Sequence, residues 1–193
     1  MKIYPAHITK EAVNALPILT IQKKIQVINN CTEADRAVKE LMQCEILGFD
    51  TETKPSFKKG ERNKIALLQL ATDDKCYLFR LNKIGTCSSI KKILESDSVL
   101  KIGLSTQDDF HSLNKWMRTT PRNFIELQTY VKAFGISEMS LQKIYAIIFG
   151  KKISKTQQLS NWEAPSLTPA QQLYAATDAW ASRSIYLELK NNL

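Results

Sequence analysis

Histidine is scarce in this chain of 193 residues: only His7 and His111 occur. Two leave few ways to build a histidine-rich metal site or a Ser-His or Cys-His nucleophilic arrangement. Cysteine offers little more. Cys31, Cys44, Cys76 and Cys87 are widely spaced with no C-x-x-C pair, which suggests neither a zinc knuckle nor a disulfide framework and leaves packing as their expected role. No stretch approaches the ~20 apolar residues that span a bilayer, and Lys2 is followed by proline and polar residues rather than an apolar signal run. The expectation is a cytoplasmic protein with no membrane partner. Any strong acid-base or metal chemistry has to come from carboxylates.

The remaining composition, 44% hydrophobic and 24% charged, is that of an average folded protein and excludes a disordered, collagen-like or coiled-coil chain. The length suits one domain over residues 1–193, with 1–23 as a lead-in. Lysine plus arginine number 27 against 19 acidic residues, a net charge of +8. Such an excess favours anionic partners, nucleic acid before acidic membrane, although it also serves plain solubility.

Patterning along the chain is that of an α/β fold. A β-branched run at Ile25–Ile28 predicts a strand. Thr32, with Asp35 three residues on and Ala34, Ala37, Val38 and Leu41 at helical spacing, predicts a capped helix ending near Cys44. Residues 45–50 turn continuously apolar, as a central strand does, and Asp50 ends the run. Lys54–Lys64, with Pro55, Gly60 and five basic residues, reads as an exposed loop. Residues 65–71 and 76–81 predict a hairpin that extends the preceding strand into an antiparallel meander. A helix carrying Ile90, Ile93 and Leu94, a strand over 99–104, a helix opened by Thr106 and an edge strand at Phe124-Ile125 follow. Helical patterns then cover 127–134 and 141–149, 151–165 reads as a basic polar loop, and Thr168-Pro169 starts a long terminal helix.

Three acidic constellations stand out. In Asp50-Thr51-Glu52 strand alternation puts both carboxylates on one face and Thr51 on the other. Like charges so close repel unless a divalent cation neutralises them; an isolated D-x-E equally describes an exposed strand end. Tyr174 and Asp178 are one helical turn apart, on a stripe that continues through Ala181 and Ile185. An acid on an apolar stripe must be paired, hydrogen-bonded or metal-bound, and a simple Tyr-Asp hydrogen bond also satisfies it. Asp109 shares a helical face with Leu113 and Trp116 and points inward, whereas Asp108 shares its face with Ser112 and Lys115. Asp109 also sits where a first-turn acid would favour the helix dipole.

In their order and context these segments resemble the DEDD 3′–5′ exonucleases, whose domain has a ribonuclease-H-like fold. Residues 49–53 (Phe49-Asp50-Thr51-Glu52-Thr53) look like the family's first motif. Ile102-Gly103 through Asp109 and Leu113 look like its second, and 173–179 like its third. Tyrosine four residues before Asp178 resembles the tyrosine subclass; the histidine subclass needs histidine at the position of Leu173. From about Lys24 onward, residues 65–71 and Ser160-Asn161-Trp162 are also similar to the Werner-syndrome exonuclease branch, with ribonuclease D a more distant relative. The resemblance implies an α/β, ribonuclease-H-like mixed sheet, an antiparallel meander plus parallel strands flanked by helices. The chain departs from both larger architectures in lacking room for a helicase or an added C-terminal RNA-binding domain, so a stand-alone exonuclease module is the expectation.

The resemblance further implies a mechanism. Asp50, Glu52, Asp109 and Asp178 would hold two divalent cations, Mg2+ or Mn2+, roughly 3.5 to 4 Å apart. Asp50 would bridge the ions, Glu52 and Asp178 would complete the site of the attacking water, and Asp109 would serve the leaving-group ion mainly through water. Tyr174 would orient the attacking water, and 5′-mononucleotides would leave. For nucleic-acid contacts, Thr53, Lys59, Arg62 and Lys155 are the candidates, and Trp162 is a candidate base-stacking residue, with loop packing its alternative. DNA is the expected partner and RNA possible. Trimming of RNA 3′ ends and a non-catalytic nucleic-acid-binding module are the competing functions; a complete carboxylate set argues against the second, since nothing else would keep like charges together.

Overall fold

Strand β2 (Ile46–Thr53) lies near the middle of a six-stranded sheet and carries apolar side chains on both faces, which is why it reads as an uninterrupted apolar run. The computed structural model describes residues 2–56 and 63–192. The other strands are β1 (Lys24–Ile28), β3 (Ile65–Ala71), β4 (Lys75–Arg80), β5 (Leu100–Gly103) and β6 (Phe124–Glu126), in the order β1-β4-β3-β2-β5-β6. Strands β2, β3 and β4 form the expected antiparallel meander, while β1 joins β4, β5 joins β2 and β6 joins β5, all in parallel. The fold is therefore the mixed ribonuclease-H-like sheet.

Helices cover both faces. Leu47 and Phe49 point to one side, into a core with α2 (Cys31–Leu41), α4 (Ser88–Leu94) and Leu113 of α5 (Thr106–Trp116). The opposite face is crossed by the long terminal helix α8 (Pro169–Lys190), whose Ala175, Ala176 and Ala179 lie on Leu67, Ala71 and Leu78. Each large apolar side chain so enclosed contributes about 1.5–3 kcal/mol. Small side chains let α8 approach closely, and Gly48 is indispensable to that approach. A methyl group on Gly48 would sit 1.8 Å from the Ala179 carbonyl oxygen. The start of α8 is fixed by a reciprocal cap between Thr168 and Gln171, with Pro169 in the first turn.

Several local expectations are corrected. Asn30, not Thr32, caps α2: its side chain accepts from the Glu33 amide at 2.9 Å, while the Glu33 carboxylate accepts from the Asn29 amide at 2.8 Å. The helix stops at Leu41, short of Cys44. Strand β2 runs three residues past Asp50, so the D-T-E carboxylates stand within a strand rather than after one. Residues 127–134 form one α turn, α6 (Leu127–Tyr130), followed by a 3-10 turn, Val131–Phe134. A four-residue helix, α3 (Leu81–Ile84), follows β4. Cys31 and Cys87 form a disulfide joining the start of α2 to the residue before α4, although no cysteine motif suggested one; Cys44 and Cys76 are free.

The lead-in contains a short helix, α1 (Lys10–Ala15), capped by Thr9. Its Lys10, Val13 and Asn14 line one depression with Gln142 and Lys143 of α7 (Leu141–Phe149), and an isolated parallel bridge joins Ile18 to Lys152. No helix among the described residues is long and apolar enough to cross a membrane.

Candidate active site

Alternation along β2 does what the residue pattern required. Gly48, Asp50 and Glu52 face α8, opposite Ala71, Gln69 and Leu67 of β3. Because Gly48 admits the helix, Asp178 on its underside reaches the two strand carboxylates. Oxygen atoms of Asp50, Glu52 and Asp178 all lie within 4.8 Å of one another. Pairing between β2 and β3 shifts register immediately after Glu52, where Thr53 lies opposite Ile65; bulges of this kind terminate ladders beside functional sites.

Burial and mutual repulsion act on this cluster in the same direction. Desolvation first, and the neighbouring Asp178 second, hold the Asp50 carboxyl well above the usual carboxylate range. Glu52 is likewise pushed up by burial and then by the charges of Asp50, Asp178 and Asp109. Burial raises Asp178 to about 7, opposed by a hydrogen bond from Tyr174 and by the positive charge of Lys155. Uncompensated carboxylates in one enclosure fit a hard divalent cation, since all the donors are oxygen.

Asp109 stands apart from the three. Its Oδ1 accepts the Thr51 hydroxyl at 2.5 Å, so β2 contributes from both faces. Burial and the charge of Asp50 raise the Asp109 carboxyl, against the Thr51 hydrogen bond. The inward placement expected of Asp109 is present, and Asp108 is exposed. Thr51 is a residue that sequence reasoning passed over, noting only that it pointed away. The α5 start that supplies Asp109 is itself held by Glu126, whose carboxylate accepts from the Ser105 and Thr106 amides at 3.0 and 2.7 Å. A second overlooked residue is Gln69, fully buried beside Asp50, with neither amide atom hydrogen-bonded among the described residues.

A cavity of about 280 Å³ opens above the carboxylates, walled by Leu104, Ser140, Gln142, Lys155 and Tyr174. Burial, then the charges of Asp178 and Glu52, push the Tyr174 phenol far above its ordinary value, so at neutral pH it is a hydrogen-bond donor. The candidate nucleic-acid contacts divide. Lys155 is exposed at the cavity wall, and Thr53 is exposed in a neighbouring groove with Lys54 and Lys115. Lys59 and Arg62 lie outside the described residues. Trp162 corrects its expectation: it is 0% exposed, so no face is presented to a base. It packs behind Tyr174 with ring centroids 6.0 Å apart. The turn that carries it is anchored by buried Arg80, which donates to the Ala164 carbonyl, and by Gln171, which donates to the Asn161 carbonyl at 3.3 Å.

Comparison with known proteins gives the same answer. The 3′–5′ exonuclease family model matches residues 25–193. Mouse (Mus musculus) bifunctional 3′–5′ exonuclease/ATP-dependent helicase WRN is 33% identical over 153 residues, covering 76% of this chain and 11% of that protein. Exonuclease 3′–5′ domain-containing protein 2 of Drosophila melanogaster is 32% identical over 185 residues, covering 91% of this chain and 31% of that one. The chain thus spans under a third of the length of these two relatives. Among solved structures, the Aedes aegypti Nibbler EXO domain superposes with a TM-score of 0.80 at 23% identity, covering 91% of this chain and 92% of that one. Escherichia coli RNase D, described as an exoribonuclease involved in structured RNA processing, gives 0.76 at 20% identity, covering 87% of this chain and 46% of that one. With the family model spanning every strand but for Lys24 at the start of β1, and every acidic constellation, the chain belongs to the 3′–5′ exonuclease family of hydrolytic enzymes.

Proposed function

We propose that this protein removes nucleotides from DNA 3′ ends, with Asp50, Glu52, Asp109 and Asp178 holding two divalent cations, Mg2+ or Mn2+. The observation that carries this reading is the convergence of Asp50, Glu52 and Asp178 beneath a cavity whose wall bears Lys155. Bound divalent ions supply Lewis-acid charge for the phosphoryl oxygens and lower the pKa of water to about 7 in favourable sites. Asp50 and Glu52 are fixed by the sheet, Asp178 by α8, and Asp109 is oriented by Thr51. Tyr174, braced from behind by Trp162, donates its single hydroxyl proton to Asp178 and would orient the attacking water by accepting a hydrogen bond from it. Lys155 places a positive charge against the phosphate. Water oxygen bonds to phosphorus, the bond from phosphorus to the 3′ oxygen breaks, and a 5′-mononucleotide leaves from a strand that ends in a new 3′-hydroxyl.

Similarity to DNA polymerase I of Aquifex aeolicus, 26% identical over 160 residues, supports DNA as the substrate. A fold shared with an RNA-processing exoribonuclease favours the second reading, RNA 3′-end trimming. Matched 5′-labelled DNA and RNA single strands, incubated with Mn2+, separate the two by their relative rates of 3′ shortening. No shortening of either, with intact protein and either metal, refutes the enzyme assignment. Tight binding without cleavage, insensitive to chelator, would instead identify a non-catalytic module.

A further inference from the structure

A larger depression, about 720 Å³, opens directly off the catalytic cavity and shares Ser140, Gln142, Ile153, Ser154 and Lys155 with it. Its charged lining is entirely basic: Lys10, Lys143, Lys152 and Lys155. Lys143 is matched by Glu138 at 3.0 Å. The ammonium of Lys152 donates to the Asn14 carbonyl and so keeps its charge uncompensated. Lys10 and Lys155 are exposed, and neither has an ion-pair partner among the described residues. The groove on the other side of the site, bearing Lys54, Lys64 and Lys115, shares no lining residue with the catalytic cavity.

The outer wall of the basic depression comes from the N-terminal segment, which precedes residue 25, where the family match begins. That segment is fastened to both ends of α7. Ahead of the helix, the Ser137 amide donates to the Ala6 carbonyl at 2.9 Å and the Ile8 amide to Glu138 at 3.1 Å. Beyond it, the Leu19 amide donates to the Lys152 carbonyl at 2.8 Å and the Lys152 amide to the Pro17 carbonyl at 2.9 Å. These bonds hold Lys10 on the same depression as Lys155, which also lines the cavity over the carboxylates.

We infer that this groove carries the phosphodiester backbone of the substrate strand upstream of the bond being cut, and that the N-terminal segment is a substrate-binding element. The inference rests on the proposed nuclease activity. Three cations without an ion-pair partner among the described residues, beside a site that itself repels anions, are suited to phosphates, which supply most sequence-independent affinity for nucleic acid.

A substrate-length comparison tests it, because a dinucleotide fills only the catalytic cavity while a strand of about ten nucleotides reaches the groove. With Mn2+, Lys10→Ala is expected to raise KM for the longer DNA strand about 3-fold and Lys10→Glu about 10-fold. Cleavage of the dinucleotide should be unchanged. Binding of the longer strand to Asp178→Asn protein, followed by fluorescence anisotropy, should lose about 0.7 from its log–log salt slope when Lys10 becomes Ala. The same pair of lengths in RNA shows whether the groove distinguishes the two backbones. Equal KM and salt slope for wild type and Lys10→Glu on the longer strand, with cleavage intact, would overturn the groove assignment alone. Absence of cleavage for both lengths in wild type would overturn the nuclease reading and this one with it.

Discussion

Replacing Gly48 with alanine offers the sharpest test of how the site is assembled. The added methyl carbon would meet the Ala179 carbonyl oxygen at 1.8 Å and the Ala179 carbonyl carbon at 2.8 Å. An ordinary carbon–oxygen contact is about 3.3 Å, so helix and strand must separate locally by about 1.5 Å. Overpacking of cores costs about 1–3 kcal/mol, and here both partners are backbone, so the upper end applies. For a chain of this size about 3 kcal/mol lowers Tm by roughly 6–12 °C. The same displacement carries Tyr174 and Asp178 away from Asp50 and Glu52, and misplacement near 1 Å costs about 100-fold in rate. Thermal melting with and without Mn2+, together with 3′ shortening of a labelled strand, should show both losses and a reduced metal-induced rise in Tm. Ala179→Gly in the same protein should not rescue either, because the clash is with the carbonyl rather than the side chain. Rescue by that second change, or wild-type melting and activity in Gly48→Ala, would refute the reasoning.

Other outcomes follow from the same geometry. Since burial raises Asp178 from its unfolded value of 3.8 to about 7, the metal-free folded state binds more protons than the unfolded one. Its stability should therefore be full below about pH 4 as far as this group is concerned and fall as pH rises through 7; titration melts with chelator should show that slope and saturating Mn2+ should flatten it. Asp50→Asn, which removes one of the crowded charges, should abolish nuclease activity and the metal-induced Tm rise without lowering the metal-free Tm. Thr51→Val should leave melting within about 2 kcal/mol of wild type while lowering the rate about 10-fold, because Asp109 loses its orienting hydrogen bond. Trp162→Ala should cost about 3–5 kcal/mol by cavity formation. Trp162→Phe should lower kcat more than affinity, and an equal loss of affinity would show that the ring touches substrate after all.

Sequence periodicity made much of this site legible because its acids sit on regular elements. Period two along 50–52 placed Asp50 and Glu52 together, and one helical turn placed Tyr174 over Asp178. The inward phase of Asp109 was visible from Leu113 and Trp116. What the periodicities omit is what lies across a face: neither pattern says that Thr51 meets Asp109, or that Gly48 touches Ala179. Stacking and packing stay open for Trp162 in the sequence because residues 151–165 have no repeat, and in such a stretch an aromatic side chain gives no sign of being inside or outside; its burial decides for packing. The Cys31–Cys87 bond joins residues 56 apart in sequence, a separation at which pairing depends on tertiary approach alone. The cap of α2 is misplaced at Thr32 because Asp35 stands three residues on, whereas the reciprocal bonds of Asn29 and Asn30 with Glu33 start the helix two residues earlier.

The irregular pairing at Glu52 and Thr53 separates two kinds of tolerance. Upstream of it, inserting or deleting a single residue in β2 would exchange the acidic side for the threonine side and erase the centre while leaving a strand that still pairs. Downstream, Thr53 already stands outside that count, opposite Ile65, so a change beyond it leaves the alternation of residues 50–52 untouched. The strand that bears the acids is therefore held to a fixed residue count by chemistry, since its alternation alone puts Asp50 and Glu52 on the side of α8.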